Sequence, residues 1–77
     1  MRELLEQIAK ALVDDPDAVR VLETQGEHAC VLTLHVAKGD LGKLIGKRGA
    51  HAQAMRTLLA AASGKLDKRY TLEIAAD

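Results

Sequence analysis

Leu44-Ile45-Gly46-Lys47-Arg48-Gly49 is the stretch on which the reading of this 77-residue chain turns. Two glycines bracket two cations, and each residue type has a physical task. Glycine lacks a Cβ, so its backbone reaches turn geometries closed to other residues and can approach a phosphate closely. Between the glycines, Lys47 supplies a point charge and Arg48 a planar fork matched to phosphate oxygens. Gly49 leads into an apolar-periodic segment read as a helix, whose first N–H groups and partial positive end also favour an anion. Loop, cations and helix end point together to a phosphodiester backbone.

The elements follow outward from this loop. Before it, Leu41, Leu44 and Ile45 mark a short helical turn; after it, a helix is predicted from Ala50 to Ser63. Ala52, Met55, Leu58, Leu59 and Ala62 form its inner stripe, and Gly64 caps its end. Upstream, Cys30, Leu32, Leu34 and Val36 alternate with Thr33 and His35, predicting a half-buried strand over 29–37. Val19 and Val21 around Arg20 predict a partner strand, joined through a polar turn at Gly26 into a hairpin. Leu4, Leu5, Ile8, Ala9 and Leu12 recur at helical spacing, so a first helix covers 2–13 until Asp14-Asp15-Pro16-Asp17 stops it. Tyr70, Leu72 and Ile74 alternate with Thr71 and Glu73 as a last strand. The order is helix, strand, strand, helix, helix, strand. It predicts one α+β domain over residues 1–77, a three-stranded sheet covered on one face by three helices. A right-handed crossover joins the second strand to the third.

Composition narrows the function. Eleven Lys plus Arg balance eleven Asp plus Glu, yet the charges are unevenly placed. Residues 1–37 hold three cations and seven acids, whereas residues 38–69 hold eight cations and two acids. Local potential is what a phosphate meets within a Debye length of roughly 8 Å. Tyr70 is the sole aromatic residue, which excludes recognition built mainly on aromatic stacking platforms. No apolar run is long enough to span a membrane, no secretory signal opens the chain, and the single Cys30 suits a reducing cytoplasm.

An aliphatic-Ile-Gly-x-x-Gly stretch between two helices resembles the hallmark of the KH family of RNA-binding domains, and the extra N-terminal helix and strand resemble its type II arrangement. With Ala52 and Ala54-Met55-Arg56-Thr57-Leu58-Leu59 following the loop, the whole chain is similar to the small bacterial single-KH proteins of the KhpA family. The resemblance implies that the loop over 46–49 clamps the backbone of single-stranded RNA, about four nucleotides in a KH domain. It implies a groove with an aliphatic floor, for which Leu41, Ile45, Ala52 and the strand near Leu34 to Val36 are candidates, although Leu34 and Met55 read better as core. Ala52 stands where many KH domains carry Ile or Val, which implies a shallower groove. Lys43 and Arg56 extend the phosphate track or merely solvate a helix face, and His51 adds a contact beside the loop. The resemblance further implies a homodimer, or a heterodimer with a second KH-containing RNA-binding protein, and RNA-chaperone roles touching cell shape and cell-wall synthesis. The Ala60-Ala61-Ala62 face suits such a helix–helix contact. A protein-interaction adaptor on the same fold is the alternative.

Other motifs lead nowhere. Gly42 to Lys47 has one residue too few between its glycines for a P-loop, and Arg48 replaces the hydroxyl that magnesium needs. His28 and Cys30 fall on the strand face opposite to His35, so H-x-C-x₄-H does not converge on a metal. No nucleophile–base constellation is present; neither an enzyme nor a cofactor is expected.

Overall fold

A computed structural model describes residues 2–66 and 68–76. The apolar periodicity becomes helix α1 (Arg2–Leu12), strand β1 (Arg20–Gln25), strand β2 (Ala29–Val36), helix α2 (Leu41–Ile45), helix α3 (Ala50–Leu66) and strand β3 (Arg69–Ala76). Single 3₁₀ turns at Pro16–Ala18, Lys38–Asp40 and Lys47–Gly49 join them. This is the predicted α+β element order.

The sheet runs β1-β2-β3. β1 and β2 form the antiparallel hairpin, with Val21 opposite Leu34 and Gln25 opposite Cys30. A 2.7 Å bond from the Gly26 N–H to the Ala29 carbonyl closes the turn. β2 pairs with β3 in parallel, Leu32 beside Leu72 and Leu34 beside Ile74. Parallel neighbours need a crossover, here supplied by α2, the glycine loop and α3.

Alternation along β2 sends Cys30, Leu32, Leu34 and Val36 into the core, each at most 1% exposed. Leu5 and Ala9 of α1, Leu44 of α2, and Met55 and Leu59 of α3 close over them. Truncating a core leucine of this kind to alanine typically costs about 2–5 kcal/mol, so β2 is a rigid floor on which the crossover rests. Cys30 belongs to this floor as a small apolar side chain. Burial pushes its thiol up, and the Glu23 carboxylate adds to the effect.

Two local expectations are corrected. Leu58 is 45% exposed instead of lining the inner stripe, because it sits one residue, about 100° of helix rotation, from the buried Leu59. Gly64 does not cap α3. The helix continues to Leu66, and the Lys68 N–H bonds back to the Ser63 carbonyl at 3.2 Å. Gly64 therefore costs helix propensity without gaining a turn, and a Cβ added to it meets nothing within 4 Å. Gly64→Ala should raise stability by about 0.5–1 kcal/mol in urea unfolding; a loss would show that the helix ends earlier.

Candidate functional site

The crossover reverses direction at the glycine loop, and its backbone geometry is unusual at three successive points. Gly46 has φ 80° and ψ 170°, a region closed to residues with a side chain. Gly49 has φ 77°, and between them Arg48 sits at φ 57°, ψ 27°, in the left-handed region. A 3.1 Å bond from the Gly49 N–H to the Gly46 carbonyl closes the turn. Lys47 and Arg48 both project from it into solvent, and α3 begins at the next residue. The loop thus offers two free cations, close backbone approach and a helix N-terminus together, the chemistry of an anion cradle.

His51 braces this turn. Its Nδ1–H donates to the Lys43 carbonyl at 2.9 Å, tying the first turn of α3 to α2 across the loop. The ring lies against Gly46 so closely that an added Cβ would stand 2.6 Å from its Cγ. Gly46 is required twice over, by its dihedrals and by its neighbour, whereas a Cβ on Gly49 would meet open space.

Beside the loop lies a cleft of about 560 Å³ between α3 and the edge strand β3. Ile45, Ala52 and Ile74 supply its apolar lining; Arg48, Gln53 and Arg56 its polar one. The structure therefore brings Ile45, Arg48, Gly49, Ala52 and Arg56 of the expected set to one cleft. The floor strand is β3 and not β2: Leu34 and Val36 are wholly buried under the helices, and Leu41 lies outside the lining. Sequence reasoning missed Ile74 and Gln53. The alternation that makes Ile74 an inward residue was visible, but the pairing that makes β3 the edge was not.

Lys43 and His51 stand outside this lining. Lys43 Nζ forms an ion pair with Asp14, and that hydrogen-bonded carboxylate pushes the ammonium above its ordinary range. Next to it the Asp15 N–H donates to the Asp40 carboxylate at 3.0 Å; Asp40 is the one buried charged residue among those described. The acidic turn after α1 thus holds α2, and through α2 the loop.

The loop strain orders two substitutions. Gly46→Ala should destabilise the fold by about 1–3 kcal/mol and Gly49→Ala by roughly 1 kcal/mol, measured by urea denaturation. Equal losses would mean that His51 does not constrain Gly46.

The family model described as KhpA/KhpB, KH domain matches residues 2–74. The chain is similar to the RNA-binding protein KhpA of Clostridium acetobutylicum, 53% identical over 96% of this chain and 99% of that protein. It is also similar to the RNA-binding protein KhpA of Caldanaerobacter subterraneus subsp. tengcongensis, at 54% identity over 96% and 99%. The protein of the same name from Chlamydia pneumoniae is 47% identical over 96% and 95%. No solved structure matches the chain.

Proposed function

The chain belongs to the KhpA/KhpB KH-domain family, and from that premise we propose that it binds single-stranded RNA, clamping the sugar–phosphate backbone with Gly46-Lys47-Arg48-Gly49. The observation that carries this reading is the union of a tight turn with glycines at positive φ, two solvent-facing cations and an aliphatic cleft at one end of the crossover. Phosphates lie against Lys47, Arg48 and the start of α3. Bases rest on Ile45, Ala52 and Ile74, and the unpaired outer edge of β3 offers backbone donors and acceptors to them. Arg56 continues the cationic track, and His51 acts through the loop that it braces. Lys43, engaged by Asp14, contributes charge at a greater remove. Named relatives are RNA-binding proteins, and a non-enzymatic, cytoplasmic role as an RNA chaperone or post-transcriptional regulator, touching cell shape and cell-wall synthesis, fits the family reading. No described helix is long and apolar enough to cross a membrane.

One clamp neutralises few phosphates, so binding by a single domain is weak, micromolar or looser. With about three phosphate contacts, log affinity should fall with log salt at a slope of roughly −2. Lys47→Asp with Arg48→Asp should abolish RNA binding while leaving the circular dichroism unchanged, because Asp tolerates the left-handed region better than most residues. Undiminished RNA binding by the double variant would remove the loop from the interface.

A paired assembly is favoured by a separate observation. Leu58 is 45% exposed, with Ala54 and Ala61 exposed on the same side of α3. Two residues from Arg56, Leu58 points about 200° around the helix, away from the cleft. A homodimer, or a heterodimer with a second KH-containing protein, can therefore form through this face while RNA occupies the other. Linked sites raise effective concentration without new contacts. Leu58→Asp should convert the dimer to monomer in sedimentation and keep the intrinsic affinity for a tetranucleotide. If the wild type sediments as a tight dimer indifferent to RNA, the adaptor reading replaces the RNA one.

A further inference from the structure

The glycine loop has two flanks, and their charges differ. On α2, Ile45 lines the cleft. Lys43, two residues earlier and so about 200° around the helix, leaves from the opposite side. The cleft flank carries Arg48 and Arg56 and no carboxylate in its described lining. On the other flank stand Lys43, His51 and the acidic turn after α1. The Lys43 carbonyl accepts the His51 bond at 2.9 Å, which holds this residue against the base of the loop. Lys43 lies three residues before Gly46, less than the 5.4 Å of one helical turn. Its flexible four-carbon stem therefore brings the ammonium within reach of a strand that crosses the loop.

That ammonium is already engaged. Its Nζ donates to the carboxylate of Asp14, 29 residues earlier in the chain. The turn that delivers Asp14 is held by a separate bond, from the Asp15 N–H to the buried carboxylate of Asp40 at the start of α2. The ion pair itself is open to water, with the Asp14 side chain 75% exposed. A surface pair of this kind adds little to stability and is screened by salt. Its larger consequence falls on the lysine, because a carboxylate sits where a phosphate would sit.

We propose that Asp14 is an autoinhibitory contact: its carboxylate occupies the anion position of Lys43 and withholds that cation from RNA. The flank of the loop away from the cleft then stays closed to the strand. This inference rests on the RNA reading above and adds a control on how many phosphates the loop holds. Removing the Asp14 carboxylate frees the lysine, while the Asp15–Asp40 bond keeps the turn in place.

The test titrates the full chain with an octanucleotide RNA at several salt concentrations. Asp14→Asn should steepen the salt slope by about 0.7, the share of one added phosphate, and tighten binding about fivefold at about 0.1 M salt. The gain should fade as salt approaches about 1 M. Asp17→Asn removes an equal charge from the same exposed turn and should leave the slope as it is. Lys43→Gln added to Asp14→Asn should erase the gain. In the unsubstituted chain, the Asp14 carboxyl carbon, followed by NMR at neutral pH, should keep its chemical shift as RNA saturates the protein.

An unchanged or weaker affinity in Asp14→Asn would make the pair a structural tie alone and leave the loop clamp standing. An equal gain in Asp17→Asn would assign the effect to net charge and overturn the inhibitory contact as well. Should Asp14→Asn fail to fold, the carboxyl shift decides: movement in step with the bound fraction would show that RNA already displaces Asp14. If the unsubstituted chain does not bind the octanucleotide even at low salt, the RNA reading itself fails and this inference goes with it.

Discussion

The parallel pairing of β2 with β3 is the constraint from which the rest of the molecule follows. An antiparallel neighbour could have been reached through a tight turn; a parallel one forces the chain to travel the length of the sheet before it pairs. That journey contains α2, the glycine loop and α3. It makes the loop a reversal point at one end of the sheet and lays a 17-residue helix along an edge strand. Both candidate binding features, the anion cradle and the cleft between α3 and β3, are products of one strand pairing. The wholly buried Leu32 and Leu34 of β2 make that pairing stiff.

Charge acquires meaning only on this frame. The acids before residue 38 include Asp14 and Asp15, whose turn reads in sequence as a helix stop. In space Asp14 pairs with Lys43 and the Asp15 backbone anchors Asp40. One cation of the basic segment is thereby tied to the acidic turn, while Lys47 and Arg48 project into solvent from the loop. Net charge of zero then describes a division of labour, with acids holding α2 in place and cations left free along the crossover. Local potential follows the free charges and not the sum.

Element order, strand faces and the loop were legible from the sequence because each rests on short-range periodicity. Cys30, Leu32, Leu34 and Val36 alternate visibly, and Gly46 and Gly49 mark the turn without any tertiary knowledge. Three features were not legible, each for a long-range reason. Ile74 reached the cleft in place of Leu34 because strand order, absent from local pattern, makes β3 the edge. Leu58 read as core because an apolar stripe five residues wide cannot tell which of two neighbouring leucines faces the sheet. Gly64 read as a cap because glycine in the last turn of a helix and glycine just after it look the same from sequence, whereas α3 runs on to Leu66.

The loop itself carries the last step. Arg48 occupies φ 57°, where a non-glycine residue costs roughly 1–2 kcal/mol, although glycine stands three times in the surrounding eight residues 42–49. Stability alone would favour a further glycine at this position. A bulky cation in strained backbone is the pattern of a residue kept for what its side chain reaches, and the surroundings over-determine it. The Gly49–Gly46 bond closes the turn around it, and the His51 brace from Lys43 blocks relaxation through Gly46. Strain held in this way fixes the direction in which the backbone presents Arg48, whose side chain stays exposed to solvent.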